Sequence, residues 1–377
     1  MIGPVLLVGA VLCALAGSRL LFYDGNPTGF IQFGQRTIQY SDPPRGALVQ
    51  SPVGYDGQFY WLQANDPLLL HKTTVTRLRH TAPGYHLQRP AYPALSYLLA
   101  AGQRDAIPWT MLAANVLVVL AITACFARYA LDRGWSPWWG LTLGLLPGFM
   151  LASLRDLSDP LAVASMLAGL LAWQRGRRWS AAILLAVAAL AREPMTLAVV
   201  AIVIEGLANL VRWRRQPHAL RRVVSATWPV VVVPTAAFLG WQLYIQTRYG
   251  SGGAATNQPV LPPFRDFVAE ARSATQNGIT FGALWDLAYL ALMLAGIGAA
   301  VRLLRHGLSA ASVAAVLFSV VLTVIVFGDQ WGDSRYGLPL FALLLLVGLE
   351  RRSRFALTIC TFVAALTIFV PMAIPGG

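Results

Sequence analysis

The sequence predicts an all-α polytopic membrane protein that forms a single transmembrane domain over residues 1–377, and its composition supports this in two ways. Hydrophobic residues make up 56% of the chain, whereas charged residues make up only 12%. A soluble domain usually carries about 25% charged residues, so a water-soluble fold is disfavoured. The apolar residues also gather in long runs, and a membrane-spanning helix needs about 20 of them.

The apolar runs predict about eleven spans. The first run lacks the basic residues that begin a signal peptide, so we interpret it as a retained span. The fifth and sixth runs also fit a single helical hairpin kinked at Pro194, because proline removes a backbone N–H from a helix. The predicted spans cover residues 3–22, 109–127, 137–153, 160–174, 179–191, 195–211, 224–246, 281–304, 308–328, 336–349 and 355–374.

Three glycines in the third predicted span are spaced four residues apart, at Gly140, Gly144 and Gly148. Residues four apart lie on one face of a helix, and small residues there allow two helix backbones to approach closely. The spacing therefore predicts tight helix packing rather than a ligand site.

Arginine supplies almost all of the net charge of +13, because Lys72 is the only lysine. The arginines gather in short loops between alternate spans, which is typical of cytoplasmic loops in membrane proteins. The basic character therefore indicates orientation, with the N-terminus inside and the C-terminus outside, and we expect no nucleic-acid partner. The arginines in these loops are Arg128, Arg133, Arg175, Arg177, Arg178, Arg212, Arg214, Arg215, Arg221, Arg222, Arg302, Arg305, Arg351, Arg352 and Arg354.

This orientation places two longer loops on the extracytoplasmic side, at residues 23–108 and 247–280. In the first loop, Pro67 to Leu70 and Ala91 to Ala101 are apolar but too short to span, so we expect interfacial or re-entrant helices there. The second loop is rich in glycine and proline, and it is a candidate lid over a site.

The first outer loop contains the sequence Gly-Tyr-Asp-Gly-Gln-Phe-Tyr-Trp at residues 54–61. A structural role is one interpretation, because Asp-Gly commonly forms a turn and aromatic residues commonly lie at a membrane interface. A binding site is the other. The glycine would let substrate approach Asp56, and the flanking aromatic rings would stack on a sugar.

Short connections on the same predicted side as Asp56 carry acids paired with arginines. They lie at residues 155–160, 192–194 and 329–336. Unpaired charge near membrane depth is costly and usually functional, so we expect one shared polar cavity. The alternative interpretation is that these connections are independent surface turns, because outer loops need polar residues. For Asp159, Asp333 and Glu193, a salt bridge that neutralises a buried arginine is the alternative to a role in binding.

The residue types in this predicted cavity suit a phosphate ligand. A guanidinium donates two parallel, charge-assisted hydrogen bonds, which makes arginine the preferred partner of phosphate. Asp56 is the candidate general base, because a carboxylate can take the proton of an attacking hydroxyl. The candidate phosphate-binding residues are Arg89, Arg155, Arg192 and Arg335. Further residues expected to bind or orient substrate are Tyr55, Gln58, Tyr60, Gln88, Tyr92, Asp156, Asp159, Glu193, Asp329, Asp333 and Tyr336.

The sequence leaves a divalent cation, Mg or Mn, open as a cofactor. Asp56, Asp156 and Asp159 could supply the hard oxygen ligands that such ions prefer. Three histidines of the first outer loop lack the spacing of metal ligands, and we interpret them as ordinary loop residues. They are His71, His80 and His86.

Several of these motifs resemble the GT-C superfamily of integral-membrane glycosyltransferases. The first resemblance is an acidic motif in a large first outer loop, followed by Arg-Pro-x-Tyr-Pro at residues 89–93 ahead of the second span. The Ala-Arg-Glu-Pro turn at 191–194 and the Asp-Ser-Arg-Tyr-Gly-Leu-Pro segment at 333–339 are also similar to features of those enzymes. Tyr-Asp-Gly-Gln-Phe-Tyr at 55–60 resembles a bacterial subgroup tied to cell-surface glycopolymer formation.

The resemblance implies a polyprenyl-phosphate sugar donor and a glycan, lipid or protein acceptor. It also implies transfer on the extracytoplasmic face of the bacterial cytoplasmic membrane, with inversion at the anomeric carbon and Asp56 as base. We expect the chain to lack the soluble C-terminal domain of larger members. It carries no paired Asp-Glu or Asp-Asp beside Asp56, which leaves the metal requirement open.

Two other functions fit the same residues. A transporter or flippase of a lipid-linked glycan would use the arginines to hold a headgroup, and a non-catalytic membrane subunit would position a partner enzyme. Transporters often contain two related halves with polar residues at both membrane depths. This chain concentrates such residues on one predicted side without evident duplication, which favours the enzyme.

Overall fold

The computed structural model describes residues 2–71, 83–250, 262–276, 281–324 and 332–370. Helices dominate these ranges, and the strands within them are one short parallel pair, β1 Phe33–Gly34 and β2 Val49–Ser51. The helices are α1 Ile2–Phe22, α2 Ile38–Ser41, α3 Gly57–Ala64, α4 Pro83–His86, α5 Ala91–Leu99, α6 Ile107–Asp132, α7 Trp139–Gly144, α8 Pro147–Ser153, α9 Asp159–Gln174, α10 Arg178–Ala191, α11 Leu197–Arg212, α12 Ala219–Tyr249, α13 Arg265–Gln276, α14 Phe281–Leu304, α15 Ala310–Val324, α16 Gly332–Arg351 and α17 Arg354–Ala365.

Five helical segments in the described ranges are long and apolar enough to cross a membrane. The chain therefore has the helix content and helix lengths of an all-α membrane protein, as the sequence predicts. The number of eleven spans stays a prediction, because several other apolar helices are shorter. The five segments are Ile2–Phe22, Arg104–Asp132, Glu193–Arg212, Ala219–Tyr249 and Ala283–Leu304.

Helices α9 and α16 form the centre of the bundle, and nearly all of their described apolar side chains are buried. A helix that is apolar on every side is stable only inside other protein or lipid. Asp159 at the start of α9 contacts Arg335 in the first turn of α16, and Gln174 at the end of α9 donates to Glu350 near the end of α16. The two helices therefore run in the same direction and begin at the same end of the bundle.

The third predicted span, 137–153, is two helices rather than one. Helix α7 ends at Gly144, and Leu146 takes an extended conformation (φ −60°, ψ 128°) before Pro147 begins α8. The proline ring clashes with a helical conformation at the preceding residue, which explains the break.

The segment predicted as the first outer loop has part of its expected structure. The apolar segment that begins at Ala91 forms helix α5, but the helix predicted at Pro67 to Leu70 is wrong, because this segment is a turn. The carboxylate of Asp66 accepts hydrogen bonds from the backbone N–H groups of Leu70 and His71, both at 2.9 Å. Such a side chain satisfies backbone donors that a helix would otherwise use.

The second predicted outer loop contains helix α13, which was not expected from the sequence pattern. Residues 251–261 and 277–280 lie outside the described residues, and so does most of the glycine- and proline-rich part proposed as a lid.

The three spaced glycines pack against other helices, which confirms the prediction of close contact. A Cβ atom at Gly140 would lie 2.8 Å from the Cβ of Ala127. At Gly144 it would lie 2.5 Å from Oγ1 of Thr123, and at Gly148 it would lie 2.4 Å from the carbonyl oxygen of Ser334. The contact at Gly148 joins α8 to the first turn of α16, which also contains Arg335.

We predict that Gly148→Ala destabilises the protein by about 1–3 kcal/mol, because the added methyl group would collide with backbone that must then shift. Gly240→Ala in α12 is the matched control, since a Cβ there meets nothing within 4 Å. The control should unfold at the same temperature or higher, because alanine favours a helix over glycine. Thermal unfolding in detergent, followed by circular dichroism, measures both changes. Equal melting temperatures for the two variants would contradict the packing role.

Candidate functional site

Six charged side chains meet at the end of the bundle where α9 and α16 begin. Three are carboxylates and three are guanidinium groups, so their formal charges cancel. Each comes from a helix end or a connection, and together they join the first loop to the last third of the chain. They are Asp56, Arg89, Asp159, Arg192, Glu193 and Arg335.

Asp159 connects two of the arginines. It is the first residue of α9, where the helix dipole favours a negative charge. Its Oδ2 lies 3.2 Å from Nε of Arg335, and its Oδ1 contacts Nη1 of Arg192. All three side chains are less than 10% exposed, so the carboxylate compensates two cations that water reaches poorly.

Arg89 is held by a second carboxylate. Its Nε and Nη2 atoms donate to Glu193 at 2.9 and 2.8 Å, which is the two-pronged geometry that arginine and carboxylate groups favour. Its remaining Nη1 atom lies 3.3 Å from Oη of Tyr60 and 3.6 Å from Oδ2 of Asp56. Tyr60 Oη also lies 3.1 Å from Oγ of Ser158, which links α3 to the residue before α9.

Asp56 lies between Arg89 and Arg335. Its Oδ2 atom is 3.4 Å from Nη2 of Arg335, and its side chain is 21% exposed, more than the arginines around it. The glycine that follows Asp56 does not open a path for substrate, contrary to the sequence interpretation. A Cβ at Gly57 would lie 2.6 Å from the carbonyl oxygen of Ile31, so the protein's own backbone fills that space.

The rings of Tyr55 and Tyr336 pack against arginine side chains. Tyr55 accepts a hydrogen bond from Nη1 of Arg335 at 2.9 Å, and its ring centre is 4.9 Å from Cζ of Arg155. The ring of Tyr336 lies 5.6 Å from Cζ of Arg192 and 5.5 Å from Cζ of Arg335. These distances fit cation–π contacts, which orient the guanidinium groups.

A cavity of about 130 Å³ opens beside the three arginines. One wall is charged and aromatic, and the other wall is apolar and comes mainly from α15. The cavity residues are Tyr85, Arg89, Asp159, Arg192, Glu193, Pro194, Met195, Phe318, Val321, Leu322, Arg335, Tyr336 and Pro339.

Asp56 lines an adjoining crevice rather than this cavity. The crevice also contains Phe59 and His86, and it shares Tyr85 and Arg89 with the cavity. The crevice and the cavity therefore adjoin at Arg89 and Tyr85, and the centre of the Tyr85 ring lies 5.5 Å from Cζ of Arg89.

Neighbouring arginines favour the ionised form of Asp56, whereas burial favours the neutral form of His86. Burial alone would raise the pKa of Asp56, but Arg335 and then Arg89 outweigh it and hold the pKa below its usual value. Burial lowers the pKa of His86 from 6.5 to about 4, although Asp56 opposes that shift. The imidazole stacks on Phe59 with ring centres 3.5 Å apart.

Gln58 and Gln88 lie near this site without lining the cavity. The side-chain oxygen of Gln58 accepts hydrogen bonds from Oγ1 of Thr37 at 2.6 Å and from the backbone N–H of Gly34 at 3.2 Å. Gln58 therefore ties α3 to the first-loop segment around β1. Gln88 is buried, and its Nε2 atom has no hydrogen-bond partner among the described residues.

Tyr92 and Asp156 form a separate buried group. Oη of Tyr92 lies 3.5 Å from Oδ1 of Asp156 and accepts a hydrogen bond from Asn115 at 3.0 Å. Burial raises the pKa of Asp156 well above its usual value, so this carboxyl group favours the protonated form. Its pKa is therefore shifted in the opposite direction from that of Asp56, although both were candidate ligands of one cation.

The described residues do not form a metal site from histidine, cysteine and carboxylate ligands. Asp56 and Asp159 are each paired with arginines, and Asp156 lies against Tyr92. The predicted metal ligands therefore do not fit a divalent cation in this arrangement. Asp329 and His80 lie outside the described residues, as do the side-chain contacts of Asp333.

The sequence pattern did not point to Tyr85 or to the apolar wall of the cavity, and His86 was interpreted as an ordinary loop residue. Tyr85 and His86 stand just before the Arg-Pro-x-Tyr-Pro motif, and their position next to it was a usable signal. Phe318, Val321 and Leu322 gave none, because in sequence they are ordinary residues of an apolar helix.

Comparison of the chain with protein-family models, with curated proteins and with solved structures finds no match.

We predict that stability falls as the pH is lowered from about 6.5 to about 4, because the unfolded chain takes up a proton at His86 that the folded chain resists. Above pH 6.5 the ring is neutral in both the folded and the unfolded state, so its titration does not lower the stability of the protein there. The loss amounts to at most about 3 kcal/mol, and His86→Phe should remove it while keeping a ring against Phe59. Chemical denaturation measured across this pH range tests the change.

His71→Gln is the control for this experiment, because the side chain of His71 is 71% exposed. The control should keep the pH dependence of the wild type. If His86→Phe and the wild type lose stability in parallel between pH 6.5 and 4, the buried imidazole is not the group responsible.

Proposed function

We propose that the protein is a glycosyltransferase that moves a sugar from a polyprenyl-phosphate donor to a glycan, lipid or protein acceptor. The observation that carries the proposal is the cavity with two unlike walls, one formed by buried arginines and the other by apolar side chains of α15. A lipid phosphate matches these two walls, because it has an anionic headgroup joined to a hydrocarbon chain.

The charged wall suits the phosphate of the donor. Arg89, Arg192 and Arg335 all face the cavity, and planar guanidinium groups bind phosphate oxygens through parallel hydrogen bonds. Carboxylates compensate these groups, so a phosphate would compete with Asp56 and Asp159 for them. The apolar wall of Phe318, Val321 and Leu322 would then contact the first isoprene units of the donor.

Asp56 has the role of general base in this proposal. The acceptor hydroxyl oxygen attacks the anomeric carbon, the bond from that carbon to the phosphate oxygen breaks, and the hydroxyl proton passes to Asp56. The lipid phosphate leaves with the bonding electron pair, and the arginines stabilise its charge. A single displacement of this kind inverts the anomeric carbon.

Donor binding would also make Asp56 a stronger base. Arg335 and Arg89 hold the pKa of this carboxylate below its usual value in the free protein. If a phosphate draws these two cations toward the cavity, the carboxylate loses part of their stabilisation and its proton affinity rises. The base would therefore become active when the donor is in place.

The arginine-rich loops support an extracytoplasmic location for the proposed reaction. The loops predicted to be cytoplasmic include the ends of α9 and α16, whereas the charged cluster lies where these helices begin. We therefore place the site on the extracytoplasmic side of a bacterial cytoplasmic membrane, with the N-terminus inside.

Asp56→Asn should reduce sugar transfer by roughly 10²–10⁴-fold, because an amide cannot accept the acceptor's proton. Donor binding should persist, since the arginines remain. The measurement is transfer from radiolabelled polyprenyl-phosphate sugars by purified protein, with membrane extract as acceptor. Asp42→Asn is the control, because Asp42 lies in the same loop but pairs with Arg104 at the surface, and this variant should keep its activity.

The same assay separates the enzyme from a transporter. Saturable donor binding without transfer by the wild type, from any sugar donor tested, would contradict the enzyme and favour a carrier of lipid-linked glycans. Full activity in Asp56→Asn would remove Asp56 from the chemistry while leaving the donor site to be judged by the arginine variants.

Arg335→Lys should weaken donor binding by about tenfold, because an ammonium group keeps the charge but loses the two parallel hydrogen bonds. Arg104→Lys is the control, since Arg104 is 45% exposed and lies outside the cavity. Equilibrium binding of a labelled donor to protein in detergent measures both variants. Equal affinities for the two variants would show that Arg335 does not contact the phosphate.

A further inference from the structure

A second basic pocket lies at the opposite end of the bundle from the charged cluster. It has a volume of about 390 Å³ and is formed where three helix ends meet, at the end of α14, the end of α16 and the start of α17. Arg335 and Arg351 belong to the same helix, and 16 residues at about 1.5 Å each separate them by roughly 24 Å. This separation is close to the thickness of the hydrocarbon core of a bilayer, about 30 Å.

The pocket gathers positive charge, and no acidic residue lines it. Arg302, His306, Arg351 and Arg354 line it, and the sequence contains no acidic residue between Asp286 and Asp329 or after Glu350. Glu350 itself accepts hydrogen bonds from Tyr129 and Gln174 on other helices. Among the described residues, none of the three arginines forms a salt bridge.

The residues that line the pocket suit a ligand that has both a charged group and an apolar surface. Ala299, Leu303 and Phe355 line it beside the arginines, and Phe355 is 50% exposed. The guanidinium of Arg351 lies against Gly307, where a Cβ would come within 2.9 Å of its Nη2 atom. The exposed side chain of Arg351 therefore lies beside the loop after α14.

We propose that this pocket binds the phosphate headgroup of an anionic membrane phospholipid. The three arginines would contact the phosphate, and Leu303 and Phe355 would contact the glycerol backbone and the first methylenes of the acyl chains. Basic pockets between helices at the headgroup level attract anionic lipids by charge and hold them by contact with the chains. The bound lipid would join the ends of α14, α16 and α17, and it is separate from the donor proposed at the other end.

The test measures phosphatidylglycerol binding to the delipidated protein in a neutral detergent by native mass spectrometry, with phosphatidylcholine as the neutral comparison. The wild type should bind phosphatidylglycerol at least about tenfold more tightly. The triple variant R302Q/R351Q/R354Q should lose this preference. Replacement of the same three arginines by lysine should retain most of it, because the charge remains.

The matched control is R212Q/R214Q/R215Q, which removes the same charge from a loop whose arginines do not line this pocket. It should keep the preference for phosphatidylglycerol. Equal weakening in the two glutamine variants, or equal binding of the two lipids by the wild type, would overturn the proposal. Displacement of phosphatidylglycerol by millimolar inorganic phosphate would also overturn it, because the site would then bind free phosphate. Circular dichroism of each variant in phosphatidylcholine confirms folding.

Discussion

The need to compensate buried charge governs this structure. Isolated ions are costly inside a helix bundle, and a cation left without its partner destabilises strongly. Asp159 meets this need for both Arg192 and Arg335, and Glu193 meets it for Arg89. The helix ends that carry these residues are consequently held at fixed positions, and the cavity beside them takes its shape from the same contacts.

These ion pairs also set the chemistry available at the site. The arginines that fix Asp56 in place lower its proton affinity, so one contact both positions the carboxylate and restrains it as a base. The aromatic rings act on the same groups, because Tyr55 and Tyr336 lie against guanidinium planes and limit their rotation. A ligand that binds the arginines would therefore alter the carboxylate without touching it.

Much of this arrangement was predictable from the sequence, because alternate connections of a helical bundle fall at the same end. That rule brings together Asp56, Arg192 and Arg335, although they are far apart in the chain. It cannot determine which way a side chain points within a connection, so it did not separate Asp156, packed against Tyr92, from Asp159 in the cluster. The helix break at Leu146 depends on the proline that follows it, and the turn after Asp66 depends on the carboxylate of that residue. The prediction followed the hydrophobic pattern and gave these local effects too little weight.

The order in which the chain is made places Arg335 late in the assembly of the cluster. Asp56 precedes it by 279 residues, so ribosomes complete most of the protein before this cation is available. Until α16 enters the bundle, Asp56 and Asp159 each lack one of their two arginine partners. Insertion of α16 therefore closes the ion-pair network and fills the apolar centre in one event, which makes this helix a natural point at which cellular quality control distinguishes finished from unfinished chains.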